Sequence, residues 1–227
     1  MRETQFTKIR IGKTNTYLLQ SDLNFYILID CAVPGRGNNL ISRFKRLGIT
    51  SDMLKLIIIT HSHYDHAGCL AEIKSWSNAK VAASEYAMPY LSKGKSPLPI
   101  AINHLLNKLI KSLSEMRSDL DTYEPVKVDI LITKKYDLKD WGIDGYLLPT
   151  PGHTKDSISL IMRNGNAFVG DALFNITPFS IVPPFQNYPE ELQNSWNLLL
   201  KTGSQYFHPG HGPVISAKRF RKHLIKN

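Results

Sequence analysis

The sequence predicts an α/β protein in which two β-sheets pack face to face with helices on the outside. Three observations point there. Strand-like segments fall in two sets, each followed by helical segments, and no linker or charge block separates the sets. Both must therefore bury their apolar faces in one layered body. Residues 54–60, LKLIIIT, are apolar except for Lys55 and the closing Thr60, so this strand is expected to be buried on both faces of its sheet. Finally, 227 residues with 42% hydrophobic and 21% charged side chains suit one substantial core and argue against a disordered or fibrous chain.

The elements follow in order. Residues 5–11 (QFTKIRI), 15–20 (NTYLLQ) and 24–30 (NFYILID) are short and rich in β-branched and aromatic side chains, with Gly-Lys and Ser-Asp turn signals between them. Residues 38–47 read as a short helix with Leu40, Ile41, Phe44 and Leu47 on one face. After strand 54–60 the segment HSHYDHAG comes directly, and a helix is expected over about 65–76. A strand, KVAAS, and a helix, SEYAMPYL, continue the alternation. Residues 93–124 interrupt it. Gly94, Pro97 and Pro99 open the segment, and INHLLNKLIKSLSEM then repeats apolar residues at helical spacing. This reads as a helical insert that shapes a pocket, within a single domain over 1–227. The strands VKVDILI, GYLLPT, SISLIM and NAFVGD follow. A Pro-rich loop (FNITPFSIVPPFQNYP), a helix (ELQNSWNLLLKT), a short strand (QYFHPG) and a terminal helix close the chain.

Charge and cysteine content bound the function. The net charge is +9, from 28 Lys and Arg against 19 Asp and Glu, which suits anionic substrates or nucleic acid. The cations are scattered, however, and the one dense patch, AKRFRKHLIK, is equally the solvated face of an amphipathic helix. A small-molecule substrate is the expected partner, with nucleic acid the less favoured one. No apolar run reaches the ~18 residues that span a bilayer, and the first residues lack the continuous apolar core of a signal peptide. Two cysteines, Cys31 and Cys69, make no disulfide framework. A cytoplasmic protein without membrane contact is expected, with both thiols acting as small buried hydrophobes.

The chemistry concentrates at the end of strand 54–60. His61, His63, Asp65 and His66 fall within six residues. In extended backbone the side chains of residues 61 and 63 point the same way, and Asp65 and His66 in the following turn can face the same spot. Imidazole and carboxylate are ligands of zinc and other borderline divalent metals. A catalytic zinc takes three protein ligands and keeps a position open, so four donors in one turn suggest two metals.

His61-Ser62-His63-Tyr64-Asp65-His66 resembles the H-x-H-x-D-H signature of the metallo-β-lactamase superfamily. Further landmarks follow in the family's order: Thr150-Pro151-Gly152-His153-Thr154, Gly170-Asp171-Ala172 and Pro209-Gly210-His211-Gly212. The strand ending in Asp30 also resembles the family's early strand, and the likeness spans roughly residues 6–215. It implies a four-layer αβ/βα sandwich with two mixed sheets. It also implies that His61, His63 and His153 hold one metal, that Asp65, His66 and His211 hold the second, and that Asp171 bridges them. Two zinc ions are the implied cofactor, with iron or manganese as alternatives. Asp30 is expected to orient a ligand rather than bind metal, and Thr60 and Thr154 to play a similar part or satisfy backbone groups. His208, three residues before His211, is expected either to support a ligand from behind or to be structural.

The resemblance further implies a dinuclear metallohydrolase in which a metal-bound hydroxide attacks the substrate and Asp65 orients it or shuttles its proton. Asp171 stands where class B β-lactamases commonly carry Cys or Ser, which makes the site lactonase-like or glyoxalase II-like. The residues beyond His211 offer no helical domain of the glyoxalase II kind, so a small ester, lactone or thioester is expected in preference to a glutathione thioester. A phosphodiesterase or nuclease, or an iron-dependent persulfide dioxygenase-like enzyme, is the alternative. Phe174, Ile176, Phe179, Ile181 and Phe185 are candidates to line an apolar cleft or to anchor their loop.

Overall fold

The strand-forming segments of the first half assemble into one six-stranded sheet in the computed structural model, which describes residues 4–101 and 121–226. Its order is β1 (Phe6–Ile11), β2 (Thr14–Gln20), β3 (Tyr26–Ile29), β4 (Leu54–Ile58), β5 (Lys80–Ser84) and β6 (Ile130–Ile132). The first three strands pair antiparallel through short turns, and β3 to β6 run parallel. The second sheet contains β7 (Tyr136–Asp137), β8 (Gly145–Pro149), β9 (Ile158–Met162), β10 (Asn166–Phe174), β11 (Tyr206–His211) and β12 (Ile215–Ser216) in sequence order, antiparallel except between β10 and β11. Both sheets are thus mixed, as expected.

Three apolar clusters separate four layers. Leu40 and Phe44 of α1 (Gly37–Arg46) meet Leu28, Ile57 and Val81 on the outer face of the first sheet. Ile27, Ile29, Leu56 and Ile58 point the opposite way and meet Leu147, Ile158, Leu160 and Phe168 between the sheets. On the far side, Trp196 and Leu199 of a helix over Pro189–Lys201, together with Phe220 of Ala217–Lys226, cover Val169 and Phe207. Strand β4 is buried on both faces because Ile57 and its neighbours alternate between two cores, which is what its lack of polar alternation implied.

The helix expected over 65–76 is two helices, α2 (Tyr64–Ala67) and α3 (Leu70–Ser77). At the break the His66 carbonyl accepts a hydrogen bond from the Cys31 amide at 2.6 Å. Gly68 packs so tightly on Pro34 and the Tyr64 carbonyl that a Cβ there has no room. Cys69 donates to the Val33 carbonyl at 2.7 Å, and both thiols are buried with pKa values raised by desolvation, that of Cys69 to about 12. They behave as the inert small hydrophobes expected. A short helix α4 (Met88–Leu91) follows β5, and the two remaining helices already described are α5 (Pro189–Lys201) and α6 (Ala217–Lys226). Most of the helical insert expected over 93–124 lies outside the described residues. Its flanks are tied down by bridges between Lys95 and Thr122 and between Ala101 and Phe185. Among the described residues no helix is long and apolar enough to cross a membrane.

His208 is structural, one of the two roles expected. Its ring stacks on Phe168 at 4.9 Å, meets Phe6 edge-on at 4.8 Å, and its Nε2 bonds the Asn166 amide oxygen at 2.8 Å. Burial, aided by nearby Lys8, pushes its pKa down to about 4. The unfolded chain takes up this proton near the ordinary histidine value of ~6.5, well before the folded chain does. This group therefore removes stability as pH falls from about 6.5 to 4. His208→Gln should flatten the decline of Tm over that interval; a curve parallel to the wild type would exclude the assignment.

Candidate metal centre

Two sheets converge at one edge of the sandwich, and each delivers donors there from strand ends. The segment after β4 carries His61 and His63, and α2 adds Asp65 and His66. The loop after β8 supplies His153, β10 supplies Asp171 and the end of β11 supplies His211. His61 Nε2 and His153 Nε2 lie 3.1 and 3.0 Å from His63 Nδ1. His211 Nε2 lies 3.1 Å from Asp65 Oδ2 and 3.4 Å from His66 Nε2. Asp171 faces both groups: Oδ1 is 3.3 Å from His66 Nε2, and Oδ2 is 3.8, 3.6 and 3.5 Å from the Nε2 atoms of His61, His153 and His211. All seven residues named from the sequence are brought together.

The outer nitrogens settle what the inner ones offer. His153 Nδ1 donates to the Phe185 carbonyl at 2.8 Å, and His211 Nδ1 donates to the Lys13 carbonyl at 3.0 Å. His66 Nδ1 bonds the Asp30 carboxylate at 2.7 Å. The Thr60 hydroxyl donates to Asp30 at 2.8 Å, which leaves its oxygen to accept from His61 Nδ1 at 3.1 Å. A carbonyl can only accept, so each of these rings in its neutral form turns an Nε2 lone pair inward. His63 Nε2 has no hydrogen-bond partner among the described residues, and its Nδ1 lies 3.1 and 3.0 Å from the inward nitrogens of His61 and His153, an arrangement in which one cation can take all three as ligands.

Charge agrees. Burial opposes charge on His66 and His211, yet the carboxylates of Asp171 and its neighbours raise both pKa values. Burial lowers those of His61, His63 and His153, His63 to about 3. Asp171 stays ionised despite burial, because His211 and His66 hold its pKa below the usual range. Its Oδ1 has no well-formed hydrogen bond among the described residues. This donor set fits divalent metal ions.

The supporting residues were only partly visible in the sequence. Asp30, expected to orient a ligand, does so for His66 and also accepts from the Thr60 amide at 2.8 Å, from a backbone held at φ 60°. Thr60 bears on His61, whereas the Thr154 hydroxyl meets Ser157 Oγ at 2.8 Å and its carbonyl accepts from the Gly152 amide at 3.0 Å. Sequence reasoning missed Asp156, which accepts from the Ser62 amide at 2.8 Å, and Tyr123, whose hydroxyl donates to the Ser62 carbonyl at 2.9 Å. It also missed Asn15 and Tyr17, which donate to the Pro209 carbonyl at 3.0 and 2.7 Å and seat the loop that carries His211. Gly210 must be glycine, since a Cβ there would fall on Asp171 Oδ1 and the His66 ring.

A cavity of about 240 Å³ opens over the donors. Phe174, Ile176 and Phe185 line it as expected, with Lys13, Tyr64 and Asp121 contributing polar groups. Phe179 does not line it and stands 92% exposed, while Ile181 is buried in the outer core against the second sheet. A loop's apolar residues are divided by where the chain turns, which spacing alone does not fix.

The fold and the convergent His and Asp side chains define a protein of the metal-binding αβ/βα sandwich class. A model of the metallo-beta-lactamase superfamily matches residues 9–215, and the chain belongs to that superfamily. The "Probable metallo-hydrolase YflN" of Bacillus subtilis (strain 168) is 27% identical over 230 residues, spanning 93% of this chain and 85% of its own. Among solved structures, the BLEG-1 B3 metallo-beta-lactamase aligns with a TM-score of 0.71 at 23% identity, covering 96% of this chain and 97% of that one. TTHA1623 in a di-iron-bound form aligns with a TM-score of 0.67 at 20% identity, covering 95% and 96%. The two structural likenesses establish the fold.

Proposed function

We propose that this chain is a metallohydrolase that holds two zinc ions and cleaves a small ester, lactone or thioester. The observation that carries the reading is the donor set: three inward imidazole nitrogens on one side, two imidazoles and Asp65 on the other, and Asp171 facing both. His61, His63 and His153 are assigned to one ion, and Asp65, His66 and His211 to the other. When bound, the pair supplies a hydroxide nucleophile at neutral pH and polarises the substrate oxygen. The Bacillus relative, named as a probable metallo-hydrolase, supports the same class of reaction.

The protein's own groups do the rest. Asp65 reaches the cavity, and His66 and His211 hold its pKa below the carboxylate range against the effect of burial. So weak a base orients the attacking water rather than removing its proton outright. Phe174, Ile176 and Phe185 form an apolar wall for an acyl group, and Lys13 offers an ammonium at the rim to the oxygen that gains charge. Neither cysteine offers a nucleophile, since both thiols are buried in the core.

Elemental analysis of protein purified without added metal should find close to two zinc per chain. The loaded protein should turn over members of a panel of aryl esters, lactones and thioesters, and lose that activity on chelation. A single iron per chain would redirect the reading to oxygen chemistry. Turnover confined to phosphodiesters in the same panel would replace the carboxylic substrate class with the phosphoryl one.

A further inference from the structure

We propose that an arginine-lined cavity beside α1 binds a small anion carrying a chain of phosphoryl groups, of the nucleoside triphosphate or inorganic polyphosphate class. The cavity measures about 580 Å³, within the ~300–1,000 Å³ of small-molecule sites. Its walls carry Arg10 from β1, Arg36 at the N-cap of α1, and Asn39, Ser42, Arg43 and Arg46 along that helix. Residues 36, 39, 43 and 46 recur at helical spacing and form one stripe.

The local charge balance does not account for this stripe. α1 has no acidic residue in its own first turn, and the one carboxylate at the positive end of its dipole is that of Glu72 from α3, packed against Gly37, which leaves Arg43 and Arg46 further along the helix without a counter-charge. Arg43 and Arg46 are like charges on one face. Among the described residues, none of the four guanidinium groups has a carboxylate within ion-pair distance. Glu72, the acid of α3 nearest this helix, is turned toward the backbone of Gly37. The polar contacts that two of them make are to nearby carbonyls: Arg10 to Gly12 and Arg46 to Ser42. Four exposed guanidinium forks around one cavity match the oxygens and the roughly three to four negative charges of a triphosphate.

The placement favours a discrete ligand over a nucleic-acid strand. The other dense basic element, α6, packs on the outer face of the second sheet, and α1 packs on the outer face of the first. Both sheets lie between them, so the two basic helices do not form a continuous track for a phosphate backbone. The cavity is also separate from the metal centre. The β1–β2 turn divides them, with Gly12 facing the arginines while the Lys13 carbonyl holds His211.

The test is isothermal titration calorimetry of the metal-loaded protein with ATP, tripolyphosphate and AMP at 0.15 M salt, with metal content measured before and after. ATP and tripolyphosphate should bind at one site per chain and AMP at least tenfold more weakly. Equal affinity for the first two identifies the phosphate chain as the determinant, and preference for ATP identifies the nucleotide. Arg36→Ala and Arg43→Ala should each raise Kd at least tenfold while leaving Tm and metal content unchanged. Three results would overturn the proposal: no binding of either polyphosphate, binding that both substitutions leave intact, or tighter and steeply salt-dependent binding of a single-stranded oligonucleotide.

Discussion

If the centre holds two ions as proposed, Asp171→Asn should reduce the metal content to one ion per chain or fewer and lower kcat/KM by more than roughly a hundredfold, since changes merely behind a ligand already cost about 10–100-fold. The side chain keeps its volume, so packing is preserved and the loss is electrostatic. Asp171 faces the inward nitrogens of His61, His66, His153 and His211, and these imidazoles are uncharged donors in their metal-binding form. Within the seven-residue set only Asp65 and Asp171 would bring negative charge to the proposed pair of dications. Removing one of them leaves much of the cations' mutual repulsion uncompensated in a buried, low-dielectric site. Metal analysis beside steady-state kinetics decides the matter. A variant that retained both ions and near-normal turnover would remove Asp171 from the centre.

Asp30→Asn should weaken metal binding by roughly 10–100-fold without unfolding the protein. Asp30 touches no inward lone pair. Its Oδ2 accepts from both His66 Nδ1 and the Thr60 hydroxyl, and its Oδ1 accepts from the Thr60 amide. An asparagine must put its NH₂ at one of these positions, where a donor already points. Either the Thr60 amide or the His66 ring then loses its acceptor, at about 1–3 kcal/mol for the buried group left unsatisfied. Backbone strain is not the cause, because asparagine tolerates the φ of 60° found here. Metal titration together with thermal melts separates the effects: affinity should fall by one to two decades while the melting transition stays cooperative. Unchanged affinity would make Asp30 a fold-stabilising residue only.

The two substitutions mark where sequence reading succeeds and where it stops. His61, His63, Asp65 and His66 were legible because extended backbone followed by a helical turn fixes their directions within a few residues. His153, Asp171 and His211 were legible through the landmarks around them, and Asp30 through its place at the end of a strand. The carbonyls of Lys13 and Phe185, which hold His211 and His153, were not, because the side chains of those residues carry no trace of that role. Asp156 and Tyr123, which bind the two sides of the Ser62 peptide, are distant in sequence and meet it only after the sheets stack. The break between α2 and α3 escaped notice for a related reason. Apolar spacing runs through it, and the crowding of Gly68 against Pro34 is a tertiary contact.

The sequence by itself determined the two sets of strands, the double burial of β4 and the donor cluster from His61 to His66, because strand period, helix period and ligand chemistry are local properties of residue type, whereas His153, Asp171 and His211 were marked only by their resemblance to a family's landmarks. Tertiary structure alone decided which nitrogen of each histidine turns inward, that Phe179 faces solvent while Phe174 faces the cavity, and that four arginines from β1 and α1 share one cavity. These outcomes depend on which distant backbone atoms become neighbours, and packing between layers sets that.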